Sequence, residues 1–213
     1  MTQVPPPATI RTQVQVPLRL ADGFETPARV VTFDGLADGR EHLAVGLGAW
    51  CPGDPAGGEP LIRPHSECLT GDVFGSQRCD CGPQLREAVE RIAEAGGFLL
   101  YLRQEGRGIG LYPKLDAYAL QDAGLDTYEA NLALGRGADE RSYLAAAQML
   151  HALGASRVAV LSNNPDKVRQ LRRFGVEVTE LIPTGVYRSP ANARYLEAKA
   201  TRGAHAIQVP PAD

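Results

Sequence analysis

No apolar run in the sequence approaches the eighteen or so residues needed to cross a bilayer, at about 1.5 Å of helix per residue. The opening, "MTQVPPPATIRTQV", has neither the charged start nor the apolar centre of a signal peptide. The expectation is a soluble cytoplasmic protein. Basic residues are not in excess either: 22 Lys and Arg stand against 25 Asp and Glu, a net charge of -3. The surface as a whole therefore lacks the field that would hold a nucleic-acid backbone, and an anionic ligand must be met by a local basic cluster. Cysteine is scarce, four in 213 residues, and a chain of this size in a reducing compartment is not a disulfide scaffold. No internal repeat is found. The length suits one sizeable core, read as a single domain over 1–213 with loose tails at about 1–10, where Pro5, Pro6 and Pro7 stand in a row, and at 206–213.

What is present falls into two periodicities. "QVQVPLRL", "ARVVTFD" and "HLAVGLGAW" are short, β-branched or apolar, and separated by Asp-Gly punctuation, which predicts an N-terminal antiparallel β-unit. After residue 80 the spacing turns helical: Leu85, Val89 and Ile92 recur up to Gly96 and Gly97, and "FLLYLR" follows as a buried strand. "KLDAYALQDAG" and "SYLAAAQMLHALG" read as helices, and "RVAVL", "NPDKVRQLRRFG" and "VEVTELI" as a strand-helix-strand unit with a right-handed crossover. The fold class is α+β, with mixed sheets in which the antiparallel unit precedes strand-helix units and helices pack on the sheet.

The scarce cysteines are gathered rather than scattered. Cys68, Cys79 and Cys81 lie in "HSECLTGDVFGSQRCDCG", residues 65 to 82, as C-x10-C-x-C. Cys79 and Cys81 stand two apart, so even an extended segment points both to one face, and a turn, which Asp80 and Gly82 favour, brings them together on one metal. Three thiolates satisfy three positions of a tetrahedral zinc and leave one open, where a water is acidified toward neutral pH. His65 as a fourth ligand would instead close the site into a structural one, and a redox or simply buried thiol cluster is the third reading. Cys51, followed by Pro52 and Gly53, reads as an ordinary loop cysteine.

Three further stretches carry polar groups at element boundaries. "RQEGRGIGL", residues 103 to 111, sets Arg103, Glu105 and Arg107 among glycines after a strand: either a plain connection or a turn that offers N–H groups and guanidinium to an anion. "GADERSY" places Asp139, Glu140 and Arg141 before an apolar helix, where an acidic cap and first turn is the simple account. "LSNNPDK" ends a strand and begins a helix, so Ser162, Asn163 and Lys167 can meet phosphate there unless Asn164 merely caps the helix.

Taken in order, "HSECLTGDVFGSQRCDCGPQL", "RQEGRGIGL", "AYALQDAGLDTYEAN", "ADER" and "NNPDK" resemble the GTP cyclohydrolase II family in sequence and spacing, from about Leu18 to about His205. The resemblance implies one zinc per chain on Cys68, Cys79 and Cys81, with Asp139 as proton acceptor and Arg141 as the residue that attacks the nucleotide's phosphate. It implies GTP contacts from Arg63, Pro64, His65, Ser66, Glu67, Gln84, Glu105, Gly106, Arg107, Thr127, Ser162 and Lys167, and places Tyr118 beside the reacting base. It also implies magnesium at the triphosphate, a homodimer, no nucleic-acid or membrane partner, and a role at the start of riboflavin synthesis. The implied reaction consumes GTP and water, releases formate and pyrophosphate, and leaves a 2,5-diamino-pyrimidinone ribosylamino 5'-phosphate. Glu105 has the chemistry to read the guanine edge by accepting two hydrogen bonds. Arg141 is an unusual nucleophile because its guanidinium stays protonated, and charge stabilisation at the phosphate is the alternative role.

Three residues depart from the family pattern: Pro64 for valine, Ser162 for threonine, and Asp116 for arginine. Two alternatives to the full reaction follow: a paralogue that retains the formyl group, for which Tyr118 is the discriminating position, and a zinc-stabilised binding module without turnover.

Overall fold

The computed structural model describes residues 5–50, 58–137, 139–193 and 196, and for Thr127 and Tyr128 the backbone alone. Cys51 and the stretch at 206–213 lie outside the described residues. The chain divides into two compact units that alternate along the sequence: the first takes Met1–His65, Arg86–Arg103 and Tyr143–Thr184, the second Ser66–Leu85, Gln104–Ser142 and Gly185–Asp213.

The first unit is built on a seven-stranded mixed sheet. Its strands are β1 (Thr9–Arg19), β2 (Glu25–Asp34), β3 (Leu43–Leu47), β4 (Leu61–Ser66), β5 (Gly97–Leu102), β6 (Arg157–Leu161) and β7 (Glu177–Ile182), in the order β1-β2-β3-β5-β4-β6-β7. β1, β2, β3 and β5 pair antiparallel in turn, whereas β4 with β6 and β6 with β7 are parallel. The antiparallel start, the buried strand at 97–102 and the parallel strand-helix-strand unit all agree with the α+β reading. β4 was not expected: Pro64 argues against a central strand because it lacks a ladder donor. The parallel pairs run Leu61↔Ala159 and Ile62↔Val160, so Pro64 follows the paired stretch and costs those rungs nothing.

Helices complete this unit: the C-terminal part of α2 (Cys81–Ala95), then α5 (Leu144–Ala152) and α6 (Pro165–Arg173). Residues Ala145 through Leu150 of α5 are all buried, which an ordinary amphipathic helix does not show. Three consecutive alanines let its backbone approach its neighbours closely, and the one polar residue within this buried run is fully engaged. Gln148 donates to Pro6 O (2.8 Å) and Gly35 O (3.3 Å), and accepts from Ala37 N (2.9 Å). Pro6 is thus bonded to α5, and β1 begins at Thr9.

The second unit contains α1 (Leu69–Asp72), a tight turn at Glu105–Gly108, α3 (Leu111–Asp122) and α4 (Thr127–Ala133). No described helix is long and apolar enough to cross a membrane.

Candidate active site

The three thiols converge in the second unit. Their sulfurs lie within 4.8 Å of one another, with Cys68 Sγ 3.6 Å from Cys79 Sγ. That separation is far beyond a disulfide bond. It is close to the roughly 3.8 Å that two ligands about 2.3 Å from a tetrahedral zinc would show. The turn between Cys79 and Cys81 comes from the start of α2: Asp80, itself buried, accepts from Gln84 N (3.1 Å) through its carbonyl and from Gln84 Nε2 (2.7 Å) through its carboxylate. Gly71 closes the third side. A Cβ there would stand 2.8 Å from Cys79 Sγ and 3.0 Å from Cys68 Sγ, so only glycine leaves room.

The charges within the set fit a cation. Cys68 is held well below the usual thiol range, first by hydrogen bonds from Cys79 and Cys81 and then by Lys114, against its burial. Cys79 is pushed up to about 11, chiefly by the Cys68 thiolate, and Cys81 is raised further by both neighbours and by burial. One thiolate suppresses the other two, and a divalent metal reverses that penalty by deprotonating all three. Among the described residues, these three side chains are the donors grouped tightly enough to hold a metal. Gly71→Ala is therefore expected to lower zinc affinity by at least tenfold while far-UV circular dichroism stays native, measured by competition with a chromophoric chelator.

The thiols open on a cleft within the same unit. Ser66, Glu67, Glu105, Gly106, Arg107, Tyr118 and Arg141, all named from the sequence, line it. Gly106 and Arg107 both have φ of 62°, and for arginine that left-handed conformation is uncommon and marks a constrained site. It is fastened from the following loop: Glu140 N donates to Arg107 O at 2.9 Å, and Gly108 passes so close to Glu140 that a Cβ would meet its carbonyl carbon at 2.9 Å. Asp139 does not cap α5, which starts at Leu144 without a side-chain cap. Its carboxylate grips the Arg141 guanidinium through both oxygens, with Nε at 2.8 Å. Burial raises the Asp139 pKa, but the bonds and charge of Arg141, with Arg107 behind them, leave it below the ordinary value.

Glu105, at the edge of the cleft, is engaged within the protein. Its Oε2 accepts from Leu69 N (2.7 Å), and its Oε1 accepts from Lys114 Nζ (2.8 Å) and Gly106 N (3.1 Å). A buried carboxylate with these partners braces the turn. Gln84 does not line the cleft; its amide is engaged by Asp80 and by Gly185 O at 3.2 Å. Thr127 opens α4, and its side chain lies outside the described residues. Asp116 is exposed on α3 and does not line the cleft either.

Two residues that the sequence reading passed over adjoin Tyr118. Lys114 is buried, four positions before Tyr118 on α3, so both face the cleft; that spacing was the available signal. Burial works against the charge of Lys114, but the Cys68 thiolate and Glu105 hold its pKa above the usual range. Arg78 stacks 4.4 Å above the Tyr118 ring and bonds both Asp122 oxygens at 2.9 and 3.1 Å. Burial is the main reason that the Tyr118 phenol is raised above its ordinary pKa, so it is protonated at neutral pH.

The remaining named residues belong to the sheet unit. Arg63 donates to Leu161 O (3.1 Å), and His65 stacks on Tyr101 with ring centroids 5.7 Å apart. Lys167 Nζ donates to Pro64 O (2.6 Å). Asn164 caps α6 by accepting from Asp166 N (2.9 Å), and Ser162 Oγ accepts from Asn164 N (3.0 Å), so the departure from threonine keeps a hydroxyl in use.

Comparison with known proteins points one way. The profile of the GTP cyclohydrolase II family matches residues 11–183. The chain is 50% identical over 182 residues to the GTP cyclohydrolase-2 of Vibrio parahaemolyticus, covering 85% of this chain and 90% of that one. It is 47% identical over 196 residues to that of Aliivibrio fischeri, covering 92% and 96%.

Proposed function

The chain belongs to the GTP cyclohydrolase II family, and from that premise we propose that it is a zinc-dependent hydrolase that opens the imidazole ring of GTP with release of formate and pyrophosphate. The observation that supports this reading most directly is the three-thiol cluster facing the same cleft as Tyr118, Arg107 and Arg141. Cys68, Cys79 and Cys81 would hold zinc, which would supply Lewis acidity toward a water at carbon 8 of the purine.

The protein's own groups have separable tasks. The protonated Tyr118 phenol, its ring fixed under Arg78, donates a hydrogen bond at the formamide oxygen as formate leaves. Arg107, with its backbone pinned to Glu140, and Arg141, with its guanidinium oriented by Asp139, meet the phosphate oxygens as forked donors. Because Asp139 lies below its ordinary pKa, its role in this scheme is to orient Arg141 and accept a proton late, while Arg141 stabilises charge at phosphorus. Arg63, His65, Ser162 and Lys167, in the sheet unit, are proposed as further nucleotide contacts. Magnesium at the triphosphate, a homodimer, a cytoplasmic location and a place at the start of riboflavin synthesis complete the reading.

Incubation with GTP, zinc and magnesium is the test. Mass spectrometry should find the diamino-pyrimidinone nucleotide, and coupled assays should find formate and pyrophosphate in equal amounts. A stable formamidopyrimidine nucleotide with no free formate would replace this reading with that of a formyl-retaining paralogue; no turnover would leave a binding module.

A further inference from the structure

Lysine in a helix is ordinarily a solvated residue, with its ammonium in water. Lys114 is buried, and its three N–H donors meet three acceptors: Glu105 Oε1 at 2.8 Å, Thr70 Oγ1 at 3.0 Å and Cys68 Sγ at 3.2 Å. An ammonium has no fourth donor to offer, so Lys114 lines the cleft without a free N–H for a ligand. Its partners come from two separate places in the sequence, the first metal-ligand segment and the turn that carries Arg107, and Lys114 on α3 joins them.

Charge accounts for why a cation belongs here. Three thiolates around a divalent metal leave one net negative charge, and the buried Glu105 adds another. A fixed ammonium beside both lessens the cost of keeping them out of water. Its bond to Cys68 Sγ also draws electron density from one of the three sulfurs, which leaves a metal on them more electron-poor.

We propose that Lys114 is a positioning residue of the metal centre: through its bond to Cys68 it tunes the metal's Lewis acidity, and through Glu105 it ties that centre to the Arg107 turn. This rests on the zinc reading above. It goes further in making the acidity of the centre depend on a residue that touches neither the metal nor the substrate.

The cobalt(II)-substituted full-length protein reports on the sulfur directly. A hydrogen bond to a thiolate lowers its lone-pair energy, so loss of the donor should move the sulfur-to-cobalt charge-transfer band to longer wavelength. Lys114→Met is expected to show that shift, with kcat for GTP about 10–100-fold lower in the zinc form and KM within about twofold, because the effect passes through the metal's surroundings. Lys114→Gln, which keeps a neutral donor of shorter reach, should shift the band in the same direction and carries the test if Lys114→Met does not fold. A band at the wild-type position in the folded variants would overturn the proposal, as would a raised KM with unchanged kcat, which would make Lys114 a substrate ligand. Wild-type protein that takes up no cobalt would remove the metal centre and this inference together, whereas an unmoved band removes the inference alone.

Discussion

Cys79→Ser is expected to abolish ring opening and to yield protein with far less than one zinc per chain. A serine hydroxyl is a much poorer zinc ligand than a thiolate, and two remaining sulfurs do not make a strong site. The loss should be confined to the metal. Cys79 is buried and 3.6 Å from Cys68, but its replacement is nearly isosteric and leaves the Asp80–Gln84 bonds at the start of α2 in place. Circular dichroism should therefore remain native while elemental analysis shows the missing metal. Full zinc content together with full activity in this variant would remove the thiol cluster from the mechanism.

Gly97→Ala is expected to be the most damaging single change to the fold, for a reason unconnected with chemistry. Gly97 begins β5 at a φ of 151°, and a Cβ there would lie 2.0 Å from Leu61 O and 2.7 Å from Leu61 N. Both obstructing atoms are backbone at the start of β4, where Leu61 N is also bonded to Gly96 O at 3.0 Å. No rotamer change relieves such a clash, so β4 and β5 must separate at this point. The expected cost is about 4 kcal/mol or more, at the extreme of what one substitution does. Chemical denaturation followed by circular dichroism measures it; a loss below about 1 kcal/mol would show that the two strands do not approach as described.

Much of this was readable beforehand because the signals are local. Leu85, Val89 and Ile92 repeat at helical spacing and lie in α2, and the Asp-Gly punctuation separates β1, β2 and β3 where the pairing shows two antiparallel turns. Cys68, Cys79 and Cys81 announce themselves by type and spacing. What was missed depends on partners distant in sequence. "LIRPHS" has a proline and three polar residues, and it is a strand because β6 pairs with it nearly a hundred residues later. Lys114 looks like a solvent-facing helix residue until Cys68, Thr70 and Glu105 surround it. The Glu105 carboxylate accepts from Leu69, Gly106 and Lys114, partners that its chemistry alone does not name.

The alternation of the two units has a consequence for how the protein comes into being. The chain passes between them at 65/66, 85/86, 103/104, 142/143 and 184/185, so neither unit exists as one uninterrupted stretch that a ribosome completes before starting the other. The cysteines emerge early, Lys114 later, and β6 and β7 later still. Until β6 appears, β4 lacks its parallel neighbour. A nascent chain thus carries Cys68, Cys79 and Cys81 while the sheet is still unfinished, with their sulfurs open to other chemistry.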